Sequence, residues 1–180
     1  MLEGREVRQL VIAPGSTAER VTAWAATSGG LAEITIWGED DFEPGLAEVT
    51  VKLHTPPDIP DDDVLSVAVG PEGQVFVGTR KGFSALGQPG PALRNAPWGL
   101  MDEEIRVLHF ERQAVDASTR DILWAGTKSG LVRYDVTADI ATHFGPEEGL
   151  PDPDVSALLV ASDDVRYVGT ARGLVTYPWH

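Results

Sequence analysis

The chain has 180 residues, a formal net charge of −14 at pH 7 and no cysteine. The missing cysteines exclude disulfides, thiolate metal sites and a cysteine nucleophile. The negative charge argues against nucleic-acid binding, which draws on clustered Lys and Arg, and against adhesion to anionic membranes. No apolar run approaches the roughly 20 residues that span a bilayer, so we expect no membrane insertion.

Short apolar runs separated by Gly- and Pro-rich turns follow one another along the chain, and they predict β-strands. The first unit predicts strands at 7–13, 21–27, 31–37 and 47–55. The second predicts strands at 64–69, 74–79 and 83–86, with a weaker one before Trp98. In the third, the strand at 105–110 leads through a longer loop containing Asp116 and Arg120 to strands at 122–127, 131–135 and 140–144. The fourth predicts strands at 155–161, 165–170 and 174–177.

One phrase recurs in all four units: an apolar stretch with an aromatic residue, a Gly/Ala-Thr pair, two further residues, a Gly and a new apolar run. Its threonines are separated by 52, 48 and 43 residues and lie at Thr27, Thr79, Thr127 and Thr170. Repeats of this length built from strands are typical of propeller blades. We expect the threonine hydroxyls to satisfy the neighbouring turns and the glycines to permit tight turns and close strand approach.

We therefore predict an all-β fold, a β-propeller of four blades with up to four antiparallel strands each. The single repeat domain covers 1–180, with blades at about 5–55, 62–96, 103–145 and 153–180, the last lacking its outer strand. Three arrangements stay open: four blades closing alone, half of an eight-bladed ring completed by a second copy, and a piece of a larger ring. Large flat side chains at one equivalent position predict a wedge packed between blades, formed by Trp24, Phe76, Trp124 and Tyr167.

The phrase Leu-Trp-Ala-Gly-Thr-x-x-Gly-Leu at 123–131, together with Gly-Leu-Pro-Asp-x-x-Val at 149–155, resembles the two-component regulator propeller repeat. The resemblance is strong in units two to four and looser in the first, where Ala26 replaces the usual glycine. It implies a multi-bladed propeller, often the extracytoplasmic sensor part of hybrid histidine kinases. Residues 1–6 lack the apolar region of a secretion signal. We expect a cytoplasmic protein if Met1 is the native start, and an extracytoplasmic one if the chain belongs to a longer sensor.

Charged residues recur at equivalent turns, which a propeller places on one face. The predicted ligand- or partner-binding residues of this loop face are Arg80, Lys81, Lys128, Arg172, Asp62, Glu103 and Asp154. The alternative interpretation is a ring of exposed ion pairs, each worth about 0–1 kcal/mol. A calcium site on the same face is a minor variant of the ligand-binding interpretation, but the sequence contains no Asp-x-Asp-x-Asp-Gly loop.

The histidines His54, His109, His143 and His180 are widely separated and show no metal spacing. We expect no metal, no cofactor and no catalytic residue, and predict a non-enzymatic module that binds a small polar ligand or a protein. One alternative is a scaffold for oligomerisation, including a homodimer that completes a larger ring. The other is a propeller enzyme with Lys81, Lys128, Asp62 or Glu103 at the channel mouth.

Overall fold

The computed structural model describes residues 3–38, 48–87, 104–115, 118–161 and 165–178. They form four antiparallel sheets, and within each sheet the strands pair in the order in which they follow one another in the chain. Sheet 1 contains β1 (Val7–Ile12), β2 (Arg20–Thr27), β3 (Gly30–Trp37) and β4 (Glu48–His54). Sheet 2 contains β5 (Val64–Val69), β6 (Val75–Thr79) and β7 (Gly82–Ala85). Sheet 3 contains β8 (Val107–Val115), β9 (Ser118–Gly126), β10 (Leu131–Asp135) and β11 (Ile140–Phe144). Sheet 4 contains β12 (Val155–Val160), β13 (Val165–Thr170) and β14 (Gly173–Pro178).

The hairpin of β8 and β9 is longer than the sequence predicted. Its pairing runs without interruption from Val107 to Val115, so the expected loop through Arg120 was wrong. Arg112 and Asp121 face each other across the extended part of the ladder and form an ion pair with a 2.7 Å N–O distance. Asp116 and the predicted strand before Trp98 lie outside the described residues.

Helical structure is confined, among the described residues, to one 3-10 turn at Pro146–Glu148. It ends at Gly149, whose φ of 100° is a left-handed conformation that glycine adopts without steric cost. Nothing in the described segments is a helix long and apolar enough to cross a membrane.

The sheets stack in chain order, with the first strand of each against the first strand of the next: β1 with β5, β5 with β8, and β8 with β12. Three apolar layers fill the spaces between sheets 1 and 2, 2 and 3, and 3 and 4. Trp24, Phe76 and Trp124 are buried in these layers, one in each. Tyr167, at the equivalent position of sheet 4, is half-buried, because no further described sheet covers it.

The result is an all-β stack of propeller-like form. Each sheet has two different faces. The forward face carries the aromatic residue and, in sheets 1 to 3, contacts the next sheet; the rear face, in sheets 2 to 4, contacts the previous sheet. No comparable packing joins sheet 4 to sheet 1 among the described strands.

Candidate functional site

The turn between the second and third strands has the same internal structure in all four sheets. Each threonine hydroxyl accepts a hydrogen bond from the backbone N–H two residues later, as Thr127 does from Ser129 at 3.0 Å. The same hydroxyl donates to the carbonyl of the glycine three residues later, at 2.7–3.0 Å. The expectation that the threonines satisfy these turns is confirmed. The glycine has a positive φ in each turn, which explains the residue type.

The connectors that enter sheets 2 and 4 also share a local structure. The carboxylate of Asp61 accepts the backbone N–H of Asp63, and that of Asp152 accepts the N–H of Asp154, both at 2.9 Å. These bonds fix carboxylates at the same place beside the turns. We call the surface formed by the turns and connectors the connector face.

On the connector face, basic side chains of the turns reach carboxylates of their own sheet's connector. Lys81 pairs with Asp61, and Arg172 pairs equivalently with Asp152 at 3.3 Å. Arg80 pairs with Asp63, and Lys128 pairs equivalently with Glu104 at 2.8 Å. All four predicted cations are therefore engaged in ion pairs.

Other ion pairs cross from one sheet to the next. Arg8 of sheet 1 contacts Asp63, and Arg106 of sheet 3 contacts Asp154. Arg80 reaches Glu104 of the following connector at 3.4 Å. The sequence analysis did not select Arg8 and Arg106. Each stands directly after the first residue of its unit's first predicted strand, which is a repeated signal.

The ion pairs change the pKa values of their members. Hydrogen bonds from Lys81 to Asp61 and from Lys128 to Glu104 lower the pKa of both carboxyls. Burial favours a higher pKa for Asp63, but hydrogen bonds from Arg8 and Arg80 outweigh it and the pKa is lowered. The pKa of Lys81 is raised by Asp61. These groups hold their charges more firmly than free side chains do.

The remaining predicted site residues are placed differently. The side chain of Asp62 is exposed, and its backbone carbonyl accepts the N–H of Gly30 at 2.7 Å. Asp154 belongs to the pair with Arg106 described above. Glu103 and His180 lie outside the described residues. In the part of the chain that the structure describes, no three His, Asp or Glu side chains form a group that could hold a metal ion.

A pocket of about 320 Å³ opens at the opposite end of sheets 1 and 2. It is lined by the turn between β1 and β2, by Arg20 and Trp24, and by Gly73 from the corresponding turn of sheet 2. The guanidinium of Arg20 stacks 4.9 Å from the ring centroid of Trp37. This pocket combines the exposed cation of Arg20 with a mixed polar and apolar lining, and the sequence offered no repeated pattern that predicts it.

No protein-family model matches the chain, and no curated protein matches it either. Solved structures do resemble it. The extracellular domain of the proposed hybrid two-component system BT4673 from B. thetaiotaomicron has a TM-score of 0.62 and 18% identity over 95% of this chain. That of BT3049, from the same organism, has a TM-score of 0.61 and 15% identity over 96%.

PorZ, a bacterial surface component of the type-IX secretion system of Porphyromonas gingivalis, has a TM-score of 0.65 and 14% identity over 96% of this chain. The chain spans 20%, 23% and 26% of the three structures, in the order given. At these identities the similarity shows the fold alone. The fold is thus one that occurs in extracellular domains of signalling and surface proteins.

Proposed function

We propose that the chain is a non-enzymatic, propeller-type sensing module whose connector face binds a small polar ligand or a protein partner. The observation that carries this proposal is the repeated ion-pair structure of the face. Lys81, Lys128 and Arg172 are exposed yet held in place by ion pairs with carboxylates. Such a face offers fixed positive and negative groups side by side, and this suits a ligand that itself carries both charges.

The similar structures support a sensing role. Two of the three are extracellular domains of proposed two-component systems. By analogy with them, we propose an extracytoplasmic location and a larger propeller of which these four sheets form a part. The resemblance of the repeats to two-component regulator propellers points the same way.

The enzyme alternative has weaker support. A lysine that acts as a base or nucleophile needs a lowered pKa, whereas Asp61 raises the pKa of Lys81. Lys128 is likewise bound to Glu104 at 2.8 Å. Both lysines are therefore positive groups held in ion pairs on the connector face, which favours binding over catalysis.

The experiment is a thermal-shift and calorimetric screen with glutamate, arginine, glucuronate and glucosamine. We expect at least one of these charged probes to bind, and Lys128→Glu or Arg172→Glu to weaken that binding at least about tenfold. Both variants should unfold close to the wild-type temperature, because exposed ion pairs contribute about 0–1 kcal/mol each.

Arg20→Glu is the matched control, since Arg20 is an exposed cation at the opposite end of the stack. If Arg20→Glu abolishes binding and the connector-face variants do not, the ligand occupies the pocket and the proposed face is wrong. Binding that none of the three variants changes would also overturn the assignment, and so would a screen in which no probe binds.

A further inference from the structure

Sheet 1 and sheet 4, at the two ends of the stack, each expose a face whose equivalents inside the stack are buried. Nine large hydrophobic side chains are exposed in the described part of the chain. Five lie on the rear face of sheet 1: Val7, Leu10, Ile12, Val49 and Val51. Two more, Leu159 and Leu174, lie on the forward face of sheet 4. Seven of the nine thus belong to these two end faces.

The forward face of sheet 4 has the same residue pairing as the forward faces of sheets 2 and 3, which the next sheet covers. Leu174 pairs with Gly169 just as Leu131 pairs with Gly126 and Phe83 with Gly78. Leu131 is 0% and Phe83 3% exposed beneath the following sheet, whereas Leu174 is 65% exposed. The same position is therefore buried or exposed according to whether another sheet lies on it.

The rear face of sheet 1 has the same apolar pattern as the rear face of sheet 2, which covers sheet 1. Its Val7, Leu10 and Ile12 pair across their hairpin in the register used by Val64, Val67 and Val69 of sheet 2. Val64 and Val67 are fully buried against sheet 1. Val7 and Leu10, by contrast, are 52% and 60% exposed.

From this complementarity we infer that the chain associates head to tail with a second copy of itself. The rear face of sheet 1 from one copy covers the forward face of sheet 4 from the other. The contact continues the three interfaces already present in the stack, and it uses a first strand of the same apolar pattern. Two such contacts related by a twofold axis join the two stacks into one closed assembly.

Gly169 fits the same interpretation. A methyl group added at Gly126 would lie 2.5 Å from Val107 of its own sheet and also 2.7 Å from Val155 in the next sheet. One added at Gly78 would lie nearest to Ser66 of its own sheet and also 2.7 Å from Ile105 in the next unit. At Gly169 the nearest atom is Ala157 of its own sheet, at 3.1 Å. The glycine of sheet 4 thus keeps room for an approaching strand.

The test measures the mass of the chain in solution, by light scattering and sedimentation, over a range of concentrations. We expect a dimer, and we expect Leu174→Lys and Leu10→Glu each to weaken dimerisation at least about tenfold, because a charge would be buried in an apolar contact. Ile140→Lys is the matched control, since Ile140 is also 59% exposed but lies on sheet 3, away from both end faces. This variant should dimerise like the wild-type chain.

Mixing the two variants identifies the geometry. A head-to-tail pair of one Leu174→Lys chain and one Leu10→Glu chain retains one unaltered contact and places Lys opposite Glu in the other. The mixture should therefore dimerise more strongly than either variant alone. A wild-type chain that is monomeric would overturn the inference. So would a dimer that neither substitution weakens, since it would be held by other contacts such as the strand edges. A mixture of the two variants that dimerises no more strongly than either variant alone would also overturn it.

Discussion

The guanidinium of Arg166 in sheet 4 donates to the carboxylate of Glu111 in sheet 3 across 2.5 Å, and both side chains are almost fully withdrawn from solvent. The other oxygen of Glu111 accepts the indole N–H of Trp124 at 2.8 Å. Arg166 also lies 5.8 Å from the ring centroid of Trp124. Burial favours a higher pKa for Glu111, but hydrogen bonds from Trp124, Gln113 and Arg166 outweigh it and the pKa is lowered. A charged pair thus lies beside the apolar layer between sheets 3 and 4, in addition to the Arg106–Asp154 pair on the connector face.

Removing one member of this pair should be costly. Arg166→Leu leaves the carboxylate of Glu111 buried without its cation, and we expect a loss of about 3–5 kcal/mol in the free energy of unfolding. The double variant Arg166→Leu/Glu111→Gln should recover most of that loss, because Gln is neutral and still accepts the Trp124 N–H. Urea unfolding of the wild-type chain, Arg166→Leu, Glu111→Gln and the double variant measures the coupling. Losses of the two single variants that simply add in the double variant would show that the pair is not coupled.

The glycine of the repeated phrase should matter most where another sheet covers it. Gly126→Ala brings a methyl group to 2.5 Å from Val107 of its own sheet and to 2.7 Å from Val155 of the next sheet, so side chains on both sides must shift. We expect a loss of about 1–3 kcal/mol, as for other overpacked cores. Gly169→Ala is the matched control in the monomeric state, where its loss should be smaller, because its nearest neighbour is Ala157 at 3.1 Å. Chemical denaturation at low protein concentration provides the comparison, and an equal loss in both variants would contradict the packing argument.

The strands, the four-unit organisation and the aromatic position were readable from the sequence because each is repeated. Thr79 and Thr127 mark the same turn, and the buried Phe76 and Trp124 mark the same layer. Repetition gives several independent observations of one local structure, which a single motif does not.

The ion pairs between sheets were harder to predict. Arg8 and Asp63 are separated by 55 residues, as are Glu111 and Arg166. Their pairing depends on which face of each strand meets the next sheet, and the sequence alone leaves this open. The sequence placed Lys81 and Lys128 on turns of one face, but it did not show which carboxylate each would contact. In the structure they pair with Asp61 and Glu104 of their own sheet's connectors.

The buried threonine hydroxyls should contribute measurably to stability. Thr127 is fully buried, and its replacement by Val leaves the N–H of Ser129 without its acceptor and removes one donor from the carbonyl of Gly130. We expect a loss of about 1–3 kcal/mol. Thr170→Val breaks the same two bonds at an exposed turn, where water replaces them, so its loss should be smaller. Thermal unfolding of both variants tests the ranking, and a larger loss for Thr170→Val would contradict it.

His109 should make the stability of the stack depend on pH just below neutrality. It lies on β8 opposite Trp124, and burial lowers its pKa below the ordinary value of 6.5, with a smaller opposing effect of the Glu111 charge. As the pH falls through about 6.5, the unfolded chain therefore takes up a proton before the folded one does. The free energy of unfolding should consequently fall from pH 7.5 to 5.5, until the folded histidine is also protonated. His109→Gln should reduce this decline. Urea unfolding at several pH values compares the two proteins, and an equal slope in the wild-type and His109→Gln proteins would show that His109 does not cause the decline.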